Sequence, residues 1–336
     1  SPTYFTETSM PEFLDLIFTD VSAQFLSPGK RLFVGYLACA LFIGVLFVCV
    51  AKRQSVTGAL AMVFSPAIWL SRSSLFDLAC FLINRLLFAV LRPLLITQIA
   101  VATFIYQALH MQALLPIGAL QHVDYWLAAT SFTLFYFLLD DFSRFGVHYL
   151  MHRIPALWEF HKFHHSAETL TPLTVTRAHP VEGVIFILRT ASIQGITIAL
   201  FVCLFGDKVD LLTIYGVSIF IFIFHGFGSN LRHSHIALRY PAALERIFIS
   251  PAQHQLHHSR NPRHFDRNFG VVLAIWDRLL GSFHPSTHEE ISFGLGPADA
   301  GYTKSVWSMY WLPFVALFRR LTGNRSRAPK NFERLR

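Results

Sequence analysis

The chain has 336 residues, of which 53% are hydrophobic and only 14% are charged, and its mean hydropathy is +0.45. Because a soluble domain carries about 25% charged residues, this composition excludes an ordinary soluble globular protein and indicates a membrane protein. Lysine and arginine number 28 against 20 acidic residues, a net charge of +8. We attribute this excess mainly to the positive-inside rule and to anionic lipid head groups. Nucleic-acid binding is not expected, since no basic run is interleaved with aromatic residues.

The first part of the chain predicts an amphipathic segment followed by membrane-spanning helices. Residues 1–31 contain apolar side chains at helical spacing, which suits either the membrane interface or a docked position on the protein. Leu32–Ala51 is an uncharged run between two basic pairs, and about 20 such residues cross the hydrocarbon core. Residues 75–110 are apolar again and are interrupted at Pro93, which predicts a helical hairpin.

A second group of apolar segments leads towards a cluster of histidines. The run Trp126–Leu139 continues without a break to His152, so we expect one helix that begins in lipid and ends at a polar site. Val184–Phe205 and Leu211–Phe224 form a further apolar pair. After residue 230 the chain is more polar, which is consistent with a cap outside the membrane. We therefore predict an interfacial segment at 1–31, a membrane-embedded catalytic domain at 32–305, and an amphipathic segment with a basic tail at 306–336.

Three short motifs place histidines three and four residues apart. Residues at these spacings lie on one face of a helix, so each motif aims two or three imidazoles at one point. Imidazole is a good ligand for iron, copper, nickel and zinc, and eight histidines exceed the four ligands of a zinc site. The pattern therefore predicts a pair of transition-metal ions. The predicted ligands and catalytic residues are His148, His152, His161, His164, His165, His254, His257 and His258.

Further residues are candidates to complete this site. A metal-bound imidazole usually donates its other N–H to a carboxylate or carbonyl, and Asp141 shares a helical face with His148 and His152, so we expect Asp141 to accept such a bond. The alternative is a local pairing of Asp141, for instance with Arg144. We expect at least one additional metal ligand from a group of four histidines outside the boxes: His179, His225, His233 and His235.

The motifs that are missing narrow the chemistry. The sequence contains no HExxH motif, no GxSxG nucleophile elbow and no glycine-rich phosphate loop. Ligation of two irons by histidine alone, beside a cavity open to lipid, indicates O2 activation and attack on an unactivated C–H bond.

The stretches HxxxHRIPALWEFHKFHHS, TRAHPVE and ISPAQHQLHHSRNPRHFDRNFGVVLAIWDRLLGSFH resemble the fatty acid hydroxylase/sterol desaturase superfamily. The resemblance covers roughly residues 70–295, and Tyr149 and Phe145 depart from its usual pattern. It implies an all-α integral membrane protein, with transmembrane helical hairpins and a helical cap that holds two iron ions in a cage of histidines. Among the four additional histidines, it favours His233 as a ligand.

The resemblance also implies the reaction, partners and location. O2 would be the co-substrate and a membrane lipid the substrate, for hydroxylation or desaturation. Because the sequence lacks an HPGG haem motif, an external donor with its reductase, of ferredoxin or cytochrome b5 type, is implied. The site would face the cytoplasm from a bacterial inner membrane or the endoplasmic reticulum. The alternatives are a desaturase on the same scaffold, a transition-metal transporter or sensor, and an inactive structural relative.

Overall fold

The computed structural model describes residues 10–91, 97–111, 117–209, 220, 222–296, 299 and 301–322. Pro93 and residues 211–219, on which two of the predictions above depend, lie outside these ranges. The described residues are helical, and they contain no strand beyond two isolated bridges, Phe248–Leu273 and Ser259–Phe293. The α-helices are α1 (Met10–Leu26), α2 (Val34–Ala51), α3 (Val56–Val63), α4 (Pro66–Trp69), α5 (Arg72–Leu91), α6 (Gln98–Met111), α7 (Tyr125–Arg153), α8 (Pro155–His165), α9 (Pro180–Phe205), α10 (Ala242–Glu245), α11 (Pro251–His257), α12 (Ile275–Leu280) and α13 (Val306–Leu321).

Three of the described helices are long and apolar enough to cross a membrane: Val34–Ala51, Arg72–Leu91 and Pro180–Lys208. Together with the composition, this confirms the predicted all-α membrane fold. In α2 the buried residues Tyr36, Ala40, Gly44 and Val48 recur every four positions. This stripe, with the small residues Ala40 and Gly44 at its centre, faces the protein, whereas large side chains such as Phe42 remain exposed and suit contact with lipid.

The helices α6 and α9 approach each other closely. A side chain at Gly195 in α9 would lie 2.6 Å from the Val101 side chain and 2.9 Å from the Ala102 backbone nitrogen. Only glycine therefore lets α6 approach α9 this closely. Near the start of the described residues, α1 contacts α5 through an ion pair between Asp20 and Arg85 at 3.4 Å.

α7 and α8 carry the first two histidine motifs, and a proline separates them. α7 runs unbroken from Tyr125 to Arg153, as the continuous run through His152 predicts. The residue before a proline is disfavoured in the helical conformation, and Ile154 is extended before Pro155. Since proline suits the first helical position, α8 begins at once in a new direction and points its histidines back at those of α7.

Arg189, the arginine within the apolar α9 segment, forms an ion pair with α7. The Arg189 guanidinium lies 2.9 Å from the Asp140 carboxylate, and Arg144 lies 2.8 Å from the same carboxylate. Buried charges need such partners. The local partner of Arg144 is thus Asp140 and not Asp141.

The polar cap brings the third histidine motif to the ends of α7 and α8. α11 begins with a capping box between Ser250 and Gln253. The Gln255 side-chain amide donates to the backbone carbonyls of Leu231, Ser234 and Ile236. These bonds fix the segment that carries His233 against α11.

Candidate metal centre

Nine histidines converge in two clusters at the junction of α7, α8, the short 3-10 helix Ser229–His233 and α11. Within each cluster the nearest ring nitrogens all lie within 4.8 Å of one another. The five-histidine cluster consists of His148, His152, His161, His165 and His257. The four-histidine cluster consists of His164, His233, His254 and His258.

The two HxxHH motifs exchange members between the clusters. His161 and His165, four residues apart, enter the five-histidine cluster, whereas His164 enters the other. In the second motif, His254 and His258 enter the four-histidine cluster and His257 crosses over. Each motif therefore contributes to both clusters, and neither cluster can form from one helix alone.

Backbone carbonyls fix the outward nitrogens of three of the rings. Nδ1 of His148 lies 2.8 Å from the Phe269 carbonyl, and Nδ1 of His257 lies 2.8 Å from the Arg267 carbonyl. Nδ1 of His164 lies 3.0 Å from the Arg177 carbonyl. A carbonyl only accepts, so each Nδ1 donates its hydrogen, and each Nε2 presents a lone pair to its cluster.

The inward nitrogens of the five-histidine cluster fit a metal ion. Nε2 of His152, His161, His165 and His257 is buried and has no hydrogen-bond partner. Buried polar atoms without partners are rare and costly, and a metal ion coordinated by these atoms would satisfy all four. In the four-histidine cluster the Nε2 atoms lie 3.1 to 3.2 Å apart, so they also converge on one point.

Burial keeps these imidazoles in the neutral form that metals bind. Withdrawal from water lowers the pKa of His161 to about 3 and that of His164 to about 4. It also lowers the pKa of His257 and His258 well below the ordinary value. Metal binding therefore does not compete with protons at neutral pH.

Two buried carboxylates hold the loop that supplies the accepting carbonyls. Asp277 accepts from the backbone N–H groups of Phe269 and Gly270, both at 2.8 Å. Asp141 accepts from Val272 N and Leu273 N at 3.0 Å and from the Trp276 indole at 2.9 Å. Among the described hydrogen bonds none joins Asp141 to a histidine. We expected Asp141 to accept a hydrogen bond from a metal-binding histidine. Asp141 instead accepts from the loop whose carbonyls orient the histidines, so it supports the site indirectly.

Acidic side chains that sequence reasoning missed lie behind the five-histidine cluster. The Glu182 carboxylate lies 3.1 Å from Nδ1 of His161, and the Asp266 carboxylate lies 3.7 Å from Nδ1 of His152. Glu182 belongs to the TRAHPVE stretch and Asp266 to the stretch after the third motif. One indication of this role was present in the sequence, since both residues lie close to histidines in the chain. Which histidine each carboxylate contacts depends on the tertiary structure.

Three of the four additional histidine candidates lie outside both clusters. The His179 ring accepts from Val181 N at the start of α9 and contacts the Tyr310 carbonyl at 3.1 Å. His225 contacts the Ser229 hydroxyl, and His235 lies 3.0 Å from the Met62 carbonyl. Only the fourth candidate, His233, joins a cluster.

One cavity borders the clusters, and a larger one lies apart from them. One, of about 110 Å³, is lined by His152, His165, His257 and His258 and therefore reaches both clusters. The other, of about 500 Å³, lies between α2, α5 and segment 230–236, and its lining is almost entirely apolar. None of the nine clustered histidines lines this larger cavity.

Fold and site together define the class: an all-helical membrane protein whose cap encloses a buried, histidine-rich site able to hold metal. Comparison with known proteins agrees. Residues 133–282 match the family model for fatty acid hydroxylases. This segment therefore resembles the fatty acid hydroxylase family, as the histidine motifs predict.

The curated relatives modify lipids. Alkylglycerol monooxygenase of Danio rerio is 28% identical over 187 residues, which cover 55% of this chain and 37% of the relative. Ornithine lipid hydroxylase OlsE of Rhizobium tropici is 30% identical over 151 residues, 44% of this chain and 40% of the relative. Delta(7)-sterol 5(6)-desaturase of Eremothecium gossypii is 28% identical over 177 residues, 52% of this chain and 42% of the relative. The chain thus aligns with less than half the length of these relatives. No solved structure matches it.

Proposed function

We propose that the protein is an O2-dependent di-iron oxidoreductase that hydroxylates a C–H bond of a membrane lipid. The observation that carries this proposal is the pair of buried histidine clusters, which share one cavity. One ion would be held by the five-histidine cluster. The other would be held by the four-histidine cluster, which consists of His164, His233, His254 and His258.

Iron is the metal that best suits this donor set and reaction class. Imidazole binds iron, copper, nickel and zinc, and a redox-active metal is needed to activate O2. Bound irons would supply that activation. The chain's own contribution is to hold neutral imidazoles in fixed orientations and to bury them away from water.

The lipid substrate is supported by the apolar surroundings. The described residues include three candidate membrane spans, and the 500 Å³ cavity between two of them, α2 and α5, has the size and lining of a small-molecule pocket. The names of the relatives include a monooxygenase of alkylglycerols and a hydroxylase of ornithine lipids. The substrate's reacting carbon would enter the smaller cavity, because that cavity contacts both clusters.

Hydroxylation inserts one oxygen atom of O2 into the C–H bond and releases the other as water. Two electrons and two protons are consumed, so we propose a separate donor of ferredoxin or cytochrome b5 type with its reductase. We place the cap on the cytoplasmic side, because its exposed arginines fit the positive-inside rule, among them Arg246, Arg260, Arg263 and Arg278.

The test is an isotope experiment in cells that express the protein. Lipids are extracted after growth under 18O2 and compared with those from cells that express His257→Ala. The proposal predicts a lipid that carries one 18O atom only with the wild-type protein. If the protein contains two irons and receives electrons but the cells form no oxygen-labelled lipid, hydroxylation is contradicted.

A desaturase is the second candidate, and the sterol desaturase relative favours it. Both reactions begin with removal of a hydrogen atom and differ in whether oxygen is transferred to the carbon. The same lipid extracts distinguish the two. A product lighter by two hydrogens and free of 18O would establish desaturation.

A further inference from the structure

The helix α13 presents a continuous row of large apolar side chains to its surroundings. Their spacing alternates between four and three residues, which keeps them on one face of a helix. This aromatic row consists of Trp307, Trp311, Phe314, Phe318 and Leu321, which are 70%, 67%, 42%, 65% and 77% exposed. A contiguous apolar surface of this kind is rare in contact with water and marks an interaction site.

The opposite face of α13 is fixed against the protein. Met309 is buried there, and the Tyr310 hydroxyl donates to Asn84 Oδ1 in α5 at 3.0 Å. Pro313 has no N–H, so it cannot donate to the Met309 carbonyl four residues earlier. The Tyr302 hydroxyl donates to this carbonyl at 3.2 Å instead. Because these bonds fix the rotation of α13 about its own axis, the aromatic row is held facing outward.

α13 lies where a candidate membrane span meets the cap. Its first half contacts Asn84 in the candidate span α5, and its end contacts α8 through an ion pair between Arg320 and Glu159 at 2.9 Å. α8 carries the second histidine motif of the cap. Tryptophan is enriched at this level, where the hydrocarbon core meets water. With 16 residues and two arginines in its last turn, α13 is too short to cross the membrane, which takes about 20 apolar residues.

The charges near the end of α13 indicate what covers the aromatic row. α13 contains no acidic residue, and the exposed Arg319 directly follows Phe318. In the sequence beyond α13, residues 323–336 contain five lysine and arginine residues and one glutamate. Aromatic side chains beside basic ones are typical of helices that lie among the head groups of a membrane with anionic lipids. This combination favours a lipid surface over a protein partner.

We propose that α13 is an interfacial helix, whose aromatic row enters the leaflet on the cap side and whose Arg319 contacts anionic lipid head groups. α13 then anchors the cap to the membrane surface, because its other face contacts α8 beside the second histidine motif. The rings of Phe314 and Phe160 form part of this contact, with their centroids 5.3 Å apart. The anchor is separate from the metal centre and from the reaction, so it does not depend on the proposed function.

The test determines whether lipid or water surrounds the aromatic row. The full chain is reconstituted in vesicles of phosphatidylcholine and phosphatidylglycerol, after Cys39→Ser and Cys49→Ser remove the two cysteines that are not buried. A nitroxide is attached at Trp311→Cys or at Phe318→Cys. Its collision rates with O2 and with a neutral, water-soluble nickel chelate are then compared. His288→Cys, at an exposed position, is the control.

We expect the ratio of O2 to chelate collisions to be several-fold higher at both positions of the row than at position 288. The physical reason is that O2 concentrates in apolar lipid whereas the chelate stays in water. Equal ratios at all three positions would overturn the proposal. Protection from both reagents, together with dipolar coupling between labels on two copies, would also overturn it, because the row would then be covered by protein.

A second measurement uses the native tryptophans and needs no label. Lipids brominated in their acyl chains quench indole fluorescence on contact, so they should quench Trp307 and Trp311. The fluorescence that is lost in the double variant Trp307→Phe, Trp311→Phe should therefore be a quenched component. If that fluorescence is insensitive to brominated lipid, the aromatic row does not reach the acyl chains and the proposal is wrong.

The head-group contact is tested by leaving out phosphatidylglycerol. In vesicles of phosphatidylcholine alone, the label at position 318 should become several-fold more accessible to the chelate, since the attraction of Arg319 to anionic lipid is lost. Arg319→Gln should have the same effect in the mixed vesicles, whereas Arg263→Gln, at an exposed position of the cap, should have none. No response to either change would overturn the role of Arg319.

Discussion

Single backbone carbonyls orient the ligands at this site. The carbonyls of Phe269 and Arg267 accept from His148 and His257, two members of the five-histidine cluster. Asp266 and Asn268, which flank Arg267, adopt left-handed backbone conformations with φ of 57°. Such conformations are uncommon outside glycine and concentrate at functional sites. These conformations shape the loop so that the carbonyls of Arg267 and Phe269, two residues apart, both face the histidines.

Removal of one histidine from each cluster tests the ligand assignment. His257→Ala and His164→Ala should each abolish turnover and lower the iron content towards one ion per chain, while the protein still inserts in the membrane. His288→Ala, at an exposed position, is the control. Elemental analysis of the purified variants is the measurement, and unchanged iron in both would contradict the assignment.

The loop carboxylates support a second prediction. Asp277→Asn retains the shape of the side chain but replaces one accepting oxygen by a donor, which opposes the N–H groups of Phe269 and Gly270. We expect metal affinity or activity to fall by about 10–100-fold, as is typical when a group behind a ligand is lost. Asp141→Asn should also lower metal affinity or activity, because it disturbs the hydrogen bonds from the N–H groups of Val272 and Leu273.

A chelator titration measures this loss, and Asp207→Asn at an exposed position is the control. Wild-type iron retention in both loop variants would show that the loop is not needed to orient the histidines.

At the level of helices, a buried ion pair joins α5 to the segment between α8 and α9. The Arg177 guanidinium lies 2.9 Å from the Asp77 carboxylate, and their side chains are 1% and 0% exposed. Arg177 also donates to the Ser166 hydroxyl, directly after the second histidine motif. The same residue whose carbonyl accepts from His164 is therefore anchored to a candidate membrane span, α5.

Asp77→Leu should destabilise the protein by about 3–5 kcal/mol, because it leaves a buried guanidinium without its counter-charge. Thermal unfolding of the detergent-solubilised protein measures the effect. The double variant Asp77→Leu with Arg177→Met should recover much of the loss, since a buried ion pair often contributes little net stability. A single variant as stable as the wild type would contradict the role of the pair.

The helices that carry the motifs could be predicted from the sequence, but the division into clusters could not. The apolar run through His152 and the Ile154–Pro155 step determine α7 and α8 locally. By contrast, His164 and His257 each enter the cluster that the other two histidines of their motif do not, and this division arises only where α7, α8 and α11 meet in the folded chain. The contacts of Asp141 with Val272 and of Arg177 with Asp77 likewise join residues far apart in sequence, which no local pattern records.

For the molecule as a whole, the buried histidines predict acid sensitivity of the metal-free protein. An unfolded histidine titrates near pH 6.5, whereas burial lowers the pKa of His161 to about 3 and that of His164 to about 4. Between these values the unfolded chain binds more protons than the folded one. The free energy of unfolding therefore falls as the pH falls from about 6.5 towards 4, by about 1.4 kcal/mol per pH unit for each such histidine.

The melting temperature of metal-free protein, measured from pH 7 to pH 4, tests this. We expect a steep fall that becomes smaller in a His161→Gln, His164→Gln variant. An equally steep fall in that variant would assign the acid sensitivity to other groups.

The central claim is that the histidine cage holds two irons. The most direct test is elemental analysis of the detergent-purified protein together with Mössbauer spectroscopy of iron-57 material. The account predicts two irons per chain with spectra of a coupled pair. A single zinc, or no bound metal after anaerobic preparation, would contradict it.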